Sequence, residues 1–149
     1  MQHSPSGIQV DTLKHLESAL DDRNSEWLDS ILAQSAGALH LMDASILIRL
    51  AEAPWHQRHE DVVFALQGLR SPEAVNALER TAFSKHEYLV YDNSHALARK
   101  CTWALADIGT PEAHQALTRI ASCSDETIAG YARKRLDNWQ LELPRKGNS

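Results

Sequence analysis

Two short segments concentrate the side chains that could do chemistry, residues 55–61 (WHQRHED) and residues 85–93 (KHEYLVYDN). In the first segment, His56 lies three residues before His59 and four before Glu60. On a helix this spacing puts the side chains on one face, as metal ligands require. The segment matches neither the HExxH nor the HxxEH zinc signature, and its spacing fixes no third ligand.

Residues 55–61 also have two interpretations that need no metal. In one, His59 and Glu60 open a helix, where Glu60 and Asp61 complement the positive end of the helix dipole. In the other, the segment binds a partner, and Trp55 anchors the interface because it adjoins charged residues. The residues assigned to this binding surface are Trp55, His56, Arg58, His59 and Glu60.

We name residues 85–93 the insertion, since they lengthen a connection between two similar helical segments beyond the roughly 2–8 residues usual for bundled helices. Tyrosines bury a large area at low entropic cost and keep a hydroxyl for hydrogen bonding, so Tyr88 and Tyr91 suit partner recognition. Alternatively, one or both rings fill a gap between helical layers. Under the first interpretation, the binding residues of the insertion are Tyr88, Tyr91, Asp92 and Asn93.

An internal repeat predicts the elements that position these segments. Residues 62–82 (the first copy) and 101–121 (the second copy) are 39 residues apart and agree at nine of 21 positions without a gap. Such self-similarity is typical of one helical unit built twice. Trp103 of the second copy aligns with Phe64 of the first, and we expect it in the core. The identical pairs are Ala65/Ala104, Leu66/Leu105, Pro72/Pro111, Glu73/Glu112, Ala74/Ala113, Ala77/Ala116, Leu78/Leu117, Arg80/Arg119 and Ala82/Ala121.

Each copy contains a helix-turn-helix whose turn has a recognisable local signal. Ser71 and Pro72 in the first copy, and Thr110 and Pro111 in the second, supply an N-cap oxygen followed by a proline at the first helical position. Gly109 is placed to adopt the left-handed conformation that ends the preceding helix. We therefore predict a tight turn between two helices in each copy.

Apolar residues recur at helical spacing along almost the whole chain, and no segment alternates as a strand does. The pattern predicts an all-α fold, an α-solenoid of about eight helices in antiparallel pairs. We expect residues 1–149 to form a single repeat domain, in which 8–53 are atypical N-terminal helices, 56–139 carry the recognisable repeats and 140–149 form a tail. The predicted helices lie near residues 11–21, 25–35, 43–53, 58–69, 73–83, 93–108, 112–122 and 126–139.

The sequence ALARKCTWALADIGTPEAHQALTRIASCSDETIAGYARKRL, residues 96–136, resembles the HEAT-like repeats of bacterial proteins, including those of phycobilin lyases. It has their basic helix start, their Ala-Leu-x-x-Ile-Gly helix end, their T/D-P-E-A turn and their Ala-Leu helix. The resemblance covers about residues 56–139 and implies a HEAT-like α-solenoid. Short HEAT-like proteins of this kind resemble bacterial immunity proteins encoded beside polymorphic toxins, a likeness carried by RHEDVV…ALQ and YLVYDN…ARKCTWAL.

Two other HEAT-like groups imply different functions. The RHE sequence followed by an apolar helix is similar to the His-Glu motifs that hold the di-iron centre of deoxyhypusine hydroxylase. That likeness implies a metal-dependent oxygenase or lyase centred on His56, His59 and Glu60. Those enzymes carry such pairs in several repeats, whereas Ala98 lies 39 residues after His59. HEAT-like DNA glycosylases hold DNA on a basic face, whereas the basic cluster of this chain is short.

The composition restricts the partner and the compartment. With 15 Lys and Arg against 20 Asp and Glu, the net charge of −5 argues against a broad nucleic-acid-binding surface. Residues 1–54 hold eight acids and three bases, which form either a solvated acidic surface or a region that attracts a basic partner. No apolar run approaches a membrane span and the polar start does not resemble a signal peptide, so we expect a cytoplasmic protein. Cys101 and Cys123 are expected to be buried or incidental thiols, because no CxxC motif surrounds them.

Together these observations predict a protein-binding module without catalysis, cofactor or metal. The expected partner is another protein. In the immunity interpretation it is a cognate toxin such as a basic nuclease, whose cleft the acidic residues would complement. The metal-dependent enzyme and a structural adaptor without a toxin stay as alternatives.

Overall fold

The structure is a computed structural model that describes residues 17–18, 20–34, 37–92 and 95–141, and within these ranges every regular element is a helix. The predicted all-α fold is confirmed. The helix predicted near 11–21 and the tail fall largely outside the described residues. The helices numbered here are α1 (Ser25–Gln34), α2 (Ala44–Glu52), α3 (His59–Leu69), α4 (Val75–Phe83), α5 (Ala96–Ile108), α6 (Pro111–Ala121) and α7 (Glu126–Asp137).

Short 3-10 helices lie at Ala38–Leu41, Pro72–Ala74 and Glu87–Leu89. The second of these separates the turn of the first copy from α4. That helix therefore begins at Val75, whereas the sequence predicted a start near residue 73.

The predicted helix caps are present in both copies. The hydroxyl oxygen of Thr110 accepts a hydrogen bond from the backbone N–H of Ala113 at 3.1 Å. Ser71 makes the equivalent contact with the N–H of Glu73 at 3.3 Å. Each cap satisfies a backbone donor that the first turn of a helix leaves without an intrahelical partner. Gly109 ends α5 with a φ of 72°, the left-handed conformation predicted for it.

The helices pack in two layers. Helices α3, α5 and α7 follow one another in one layer, and α2, α4 and α6 follow one another in the other. Across the layers, α2 packs against α3, α4 against α5, and α6 against α7. This arrangement of neighbours is typical of a helical repeat, in which each unit contacts the unit before and after it.

The core lies between the two layers and includes most of the apolar residues that the copies share. Ten of these residues are at most 2% exposed, and many are alanines, which let the helices approach closely. Cys101 is also buried, and burial raises the pKa of its thiol; both Cys101 and Cys123 are free thiols. The ten shared core residues are Ala65, Leu66, Ala74, Ala77 and Leu78 with their counterparts Ala104, Leu105, Ala113, Ala116 and Leu117.

The expectation of a core position for Trp103 is only partly met. Its ring is half-buried and is covered by the buried guanidinium of Arg135, whose Cζ lies 3.5 Å from the ring centroid. Phe64, the equivalent residue of the first copy, is 62% exposed, and the edge of the His40 ring contacts it. The alignment with Phe64 suggested a core position for Trp103, whereas Phe64 itself is exposed and Trp103 is only half-buried.

Polar contacts connect successive units at the surface. Arg119 binds Glu79 through two hydrogen bonds of 2.7 and 2.8 Å, and Arg80 binds Glu52 in the preceding unit. In the described part of the chain, no helix combines the length and the apolar character needed to cross a membrane.

Candidate functional site

The two segments predicted to carry chemistry meet in the structure. Residues 55–61 lead into α3, and the insertion lies against them although α3 and α4 separate the two segments in the chain. Three imidazole rings form the junction. The ring of His59 lies between those of His56 and His86, at centroid distances of 4.1 and 3.7 Å. We call these three residues the histidine stack.

His56 is 2% exposed and both of its ring nitrogens are engaged. Nε2 lies 2.6 Å from the carbonyl oxygen of Leu50, and Nδ1 lies 2.9 Å from the backbone N of Arg58. The carbonyl can only accept a hydrogen bond and the N–H can only donate one. These partners therefore assign a neutral ring that carries its proton on Nε2.

His59 is fully buried and occupies the centre of the stack. Its Nε2 donates to the carbonyl oxygen of Ala53 at 2.6 Å, and its Nδ1 lies 2.7 Å from the hydroxyl of Tyr88. The same hydroxyl accepts a 3.3 Å hydrogen bond from the backbone N–H of His59. Tyr88 therefore holds the ring and the first backbone N–H of α3 at once, and the lowered pKa of His59 assigns a neutral imidazole whose Nδ1 accepts from the hydroxyl.

His86 forms the outer layer of the stack and belongs to the insertion. The hydroxyl of Ser84 donates to the carbonyl oxygen of Thr81 at 2.7 Å, so its oxygen accepts from Nε2 of His86 at 3.1 Å. This chain of contacts fixes His86 to the end of α4. The insertion is thus attached at both of its faces, to α4 through Ser84 and to α3 through the stacked rings.

Burial lowers the pKa of each histidine in the stack, because removal from water disfavours the charged ring. The effect is largest for His59, whose pKa falls from 6.5 to about 4; the Ala53 carbonyl opposes it, and the neighbouring imidazoles add to it. For His56, burial also dominates, and the Leu50 carbonyl opposes it. Burial likewise raises the pKa of the Tyr88 phenol. The stack is therefore neutral at neutral pH.

The geometry gives no support to a metal at this site. A metal needs a ring nitrogen with an available lone pair, and the Nδ1 atoms of His56 and His59 already accept hydrogen bonds. Among the described residues, no three His, Cys, Asp or Glu side chains are arranged to hold a metal ion. Glu60 instead binds Lys100 of α5 at 3.0 Å.

The insertion also carries an exposed apolar surface. Tyr91 is 92% exposed and Val90 is 63% exposed, whereas Leu89 packs against the core. Beside them is a cleft of about 320 Å³, lined on one side by His86 and the insertion and on the other by α5 and the start of α7. The cleft floor is apolar, with Leu97 and Ile128, and its rim includes Lys85, Asp92, His95 and Asp125.

The two tyrosines of the insertion have different positions. Tyr88 is half-buried and fills the junction with α3, which corresponds to the gap-filling interpretation. Tyr91 points into solvent, which corresponds to the recognition interpretation. The structure therefore separates two side chains that the sequence could only treat together.

The other predicted binding residues are mostly engaged within the chain. Trp55 is half-buried and its ring meets that of His56 edge-on. Arg58 binds Asp29 of α1 at 2.8 Å. Asp92 accepts a 2.8 Å hydrogen bond from the N–H of Ala96 at the start of α5. His56 and His59 are not accessible to a partner in this conformation, and Asn93 lies outside the described residues.

Sequence reasoning missed Ser84 and His86 as parts of the site. Ser84 ends α4 and had no motif around it. His86 lies in the insertion, where only Tyr88, Tyr91, Asp92 and Asn93 were predicted to have a role. The signal that could have found them is the pair of histidines at a helix start, which require hydrogen-bonding partners when they are buried.

The comparisons with known proteins give one match. A family model described as the PBS lyase HEAT-like repeat matches residues 97–123. These residues form a HEAT-like repeat. The match covers α5, the turn at Thr110 and α6, which are the elements of the second copy. No curated protein and no solved structure gave a match.

The HEAT-like repeat borders the candidate site. Its first residues, Leu97 and Ala98, line the cleft on the side opposite His86. The insertion therefore connects the first copy to the HEAT-like repeat, and its exposed residues lie beside the cleft at the boundary between two units. Loops on a repeat scaffold commonly carry function because the helices beneath hold them in place.

Proposed function

We propose that this chain is a non-catalytic protein-binding module whose partner docks on Tyr91, Val90 and the adjoining cleft. The observation that carries the proposal is the exposure of an aromatic and an aliphatic side chain on a short segment held in place by the histidine stack. Tyrosine is enriched among the residues that dominate binding energy at interfaces. A surface that is ordered before binding loses less conformational entropy on association.

The finer proposal is that the partner is a cognate toxin and that the chain is a cytoplasmic immunity protein of a bacterium. It is supported by the net charge of −5 and by the acidic excess in residues 1–54. Such an excess of acidic residues attracts a basic protein, such as a nuclease, and accelerates association with it. The likeness of the insertion and of the α3 start to immunity proteins points the same way.

The first experiment uses the product of the adjacent gene as the partner. Both proteins are co-expressed and purified, and the dissociation constant is measured by calorimetry for the wild type and for Tyr91→Ala. An interface anchor contributes about 2 kcal/mol or more, so we expect the Tyr91→Ala complex to be at least tenfold weaker.

Phe64→Ala is the matched control, because Phe64 is also an exposed aromatic residue but lies on α3 near His40. We expect its affinity to equal that of the wild type. If Phe64→Ala weakens binding and Tyr91→Ala does not, the partner docks on α3 and the insertion is not the binding surface.

The toxin proposal has its own readout. Expression of the neighbouring protein alone should arrest growth, and co-expression of this chain should restore it. Growth that is unaffected by the neighbour would contradict the toxin role while leaving the binding surface open to test by calorimetry.

A further inference from the structure

We propose that the histidine stack is an acid-sensitive latch, and that protonation of its rings releases the insertion from the start of α3. This inference rests on the proposed function in one respect, because it treats the insertion as a binding surface. It assigns a means of regulating that surface. The latch itself is a property of the free chain.

The positions of the ring protons make the histidine stack sensitive to acid. His56, His59 and His86 all carry their single ring proton on Nε2, where each donates to an oxygen. An additional proton must therefore bind Nδ1. In His56 that atom faces the N–H of Arg58, so protonation would bring two donors together at 2.9 Å. In His59 it faces the hydroxyl of Tyr88, which would lose its acceptor.

The close stacking of the three rings adds to this sensitivity. Neutral imidazoles stack favourably, whereas two charged rings with centroids about 4 Å apart repel each other strongly in a buried site. His59 lies between the other two rings and cannot move away from both. His86 can, because it is the outer ring of the stack and its part of the insertion is held by contacts at Ser84 and Tyr88, whereas Leu89 and the hydrogen bond from Ala96 to Asp92 hold the far end of the insertion. Outward movement of the insertion is the route by which the repulsion is relieved.

The charged groups around the stack do not neutralise it. Asp29 favours the charged form of His56, but Arg58, which binds Asp29, opposes it. Glu60 is bound by Lys100. Burial remains the largest influence on all three rings. The charged groups facing the stack or its Tyr88 partner are Asp29 on α1, Arg58, Glu60 and Asp61 around the start of α3, Lys100 on α5 and Lys85 on the insertion.

The direction of the pH dependence follows from linkage. The pKa of His59 is about 4 in the latched state and returns towards 6.5 when the ring meets water, so the released state binds the proton more readily. The latch is at full strength above pH 6.5 and weakens as the pH falls from 6.5 to 4. For His59 alone, this shift raises the fraction of molecules with a released insertion about 30-fold when the pH falls from 7.5 to 5.

The backbone N–H of His59 is a direct reporter of the latch, because it donates to the Tyr88 hydroxyl. Ala113 is its matched control. Its N–H lies at the start of α6 and donates to the Thr110 hydroxyl, a hydrogen bond in which no histidine side chain takes part. Hydrogen exchange of both amides is followed by NMR on the free chain, with protection factors corrected for intrinsic rates. The ring resonances of His59 are titrated in the same samples.

We expect the protection of the His59 amide to fall by about 30-fold relative to Ala113 between pH 7.5 and pH 5, in step with protonation of the rings. His59→Gln should keep the latch and lose most of this response, since its amide can donate to Ala53 and accept from Tyr88 but does not titrate. His114→Gln, which alters an exposed histidine on α6, should respond as the wild type does.

If the protection factors of the His59 and Ala113 amides keep a constant ratio down to pH 4.5, the latch proposal is wrong. This measurement uses the wild type, so it decides the proposal even if His59→Gln does not fold. Failure of the proposed function gives a different result. In that case the amide responds to acid as expected, but Tyr91→Ala binds the partner as tightly as the wild type at pH 7.5.

Discussion

The first and second copies of the repeat share much of their helix packing but differ in the side chains that make individual contacts. Leu66 and Leu105 are both fully buried, and the paired alanines around them make the same close helix contacts. In contrast, the exposed Phe64 corresponds to Trp103, which Arg135 covers, and the buried His59 corresponds to Ala98. The two copies thus share the packing of their helices, whereas the side chains that make individual contacts differ between them.

The largest effect is expected in the shared core. Leu66→Ala and Leu105→Ala each leave a cavity at a fully buried site, so we expect each to lower the free energy of unfolding by about 3 kcal/mol. The two losses should agree to within about 1 kcal/mol if both copies belong to one cooperative core. Chemical denaturation followed by circular dichroism measures both.

Leu141→Ala is the control for these variants, because Leu141 is 80% exposed and should tolerate the same truncation. Two separate unfolding transitions in either variant would show that the copies unfold independently and do not form one cooperative core.

A smaller effect is expected at the turn, where the copies use different residues for the same backbone conformation. Gly109 has a φ of 72°, and Arg70, which lies 39 residues earlier, has a φ of 53°. Gly109→Ala should cost about 1 kcal/mol of unfolding free energy, because a side chain is strained in this region. Arg70→Gly should give a smaller gain, since the interactions of the arginine side chain are lost with it.

Thermal denaturation of the two variants tests this difference. Changes of opposite sign in the free energy of unfolding would show that the left-handed conformation favours glycine in both copies. A stabilised Gly109→Ala variant would show that the left-handed residue is not what ends α5.

The smallest effect is expected for the exposed ion pairs that the copies share. Arg80 and Arg119 each bind a glutamate of the preceding unit, and both side chains are more than half exposed. Exposed ion pairs contribute little, so Arg80→Gln and Arg119→Gln should unfold within error of the wild type. Denaturation at low salt and at about 1 M salt should give the same ranking, because screening removes what contribution there is.

The sequence was a good guide to the helices and their ends. Thr110 and Gly109 act as predicted because capping depends on residues within a few positions of each other. The sequence was a poorer guide to the candidate site. The contacts of His59 with Tyr88 and His86 join residues more than 25 positions apart, and no periodicity encodes which side chain will face which across a junction.

The sequence by itself determined that the chain forms paired helices with a repeated core, since hydrophobic spacing and helix caps act over a single turn or two. Only the tertiary structure decided that two histidine-bearing segments stack into one neutral cluster, and that of two neighbouring tyrosines one is used inside and the other faces water. The reason is physical. Burial, which sets both the protonation of His59 and the exposure of Tyr91, is a property of the packed layers and not of the local chain.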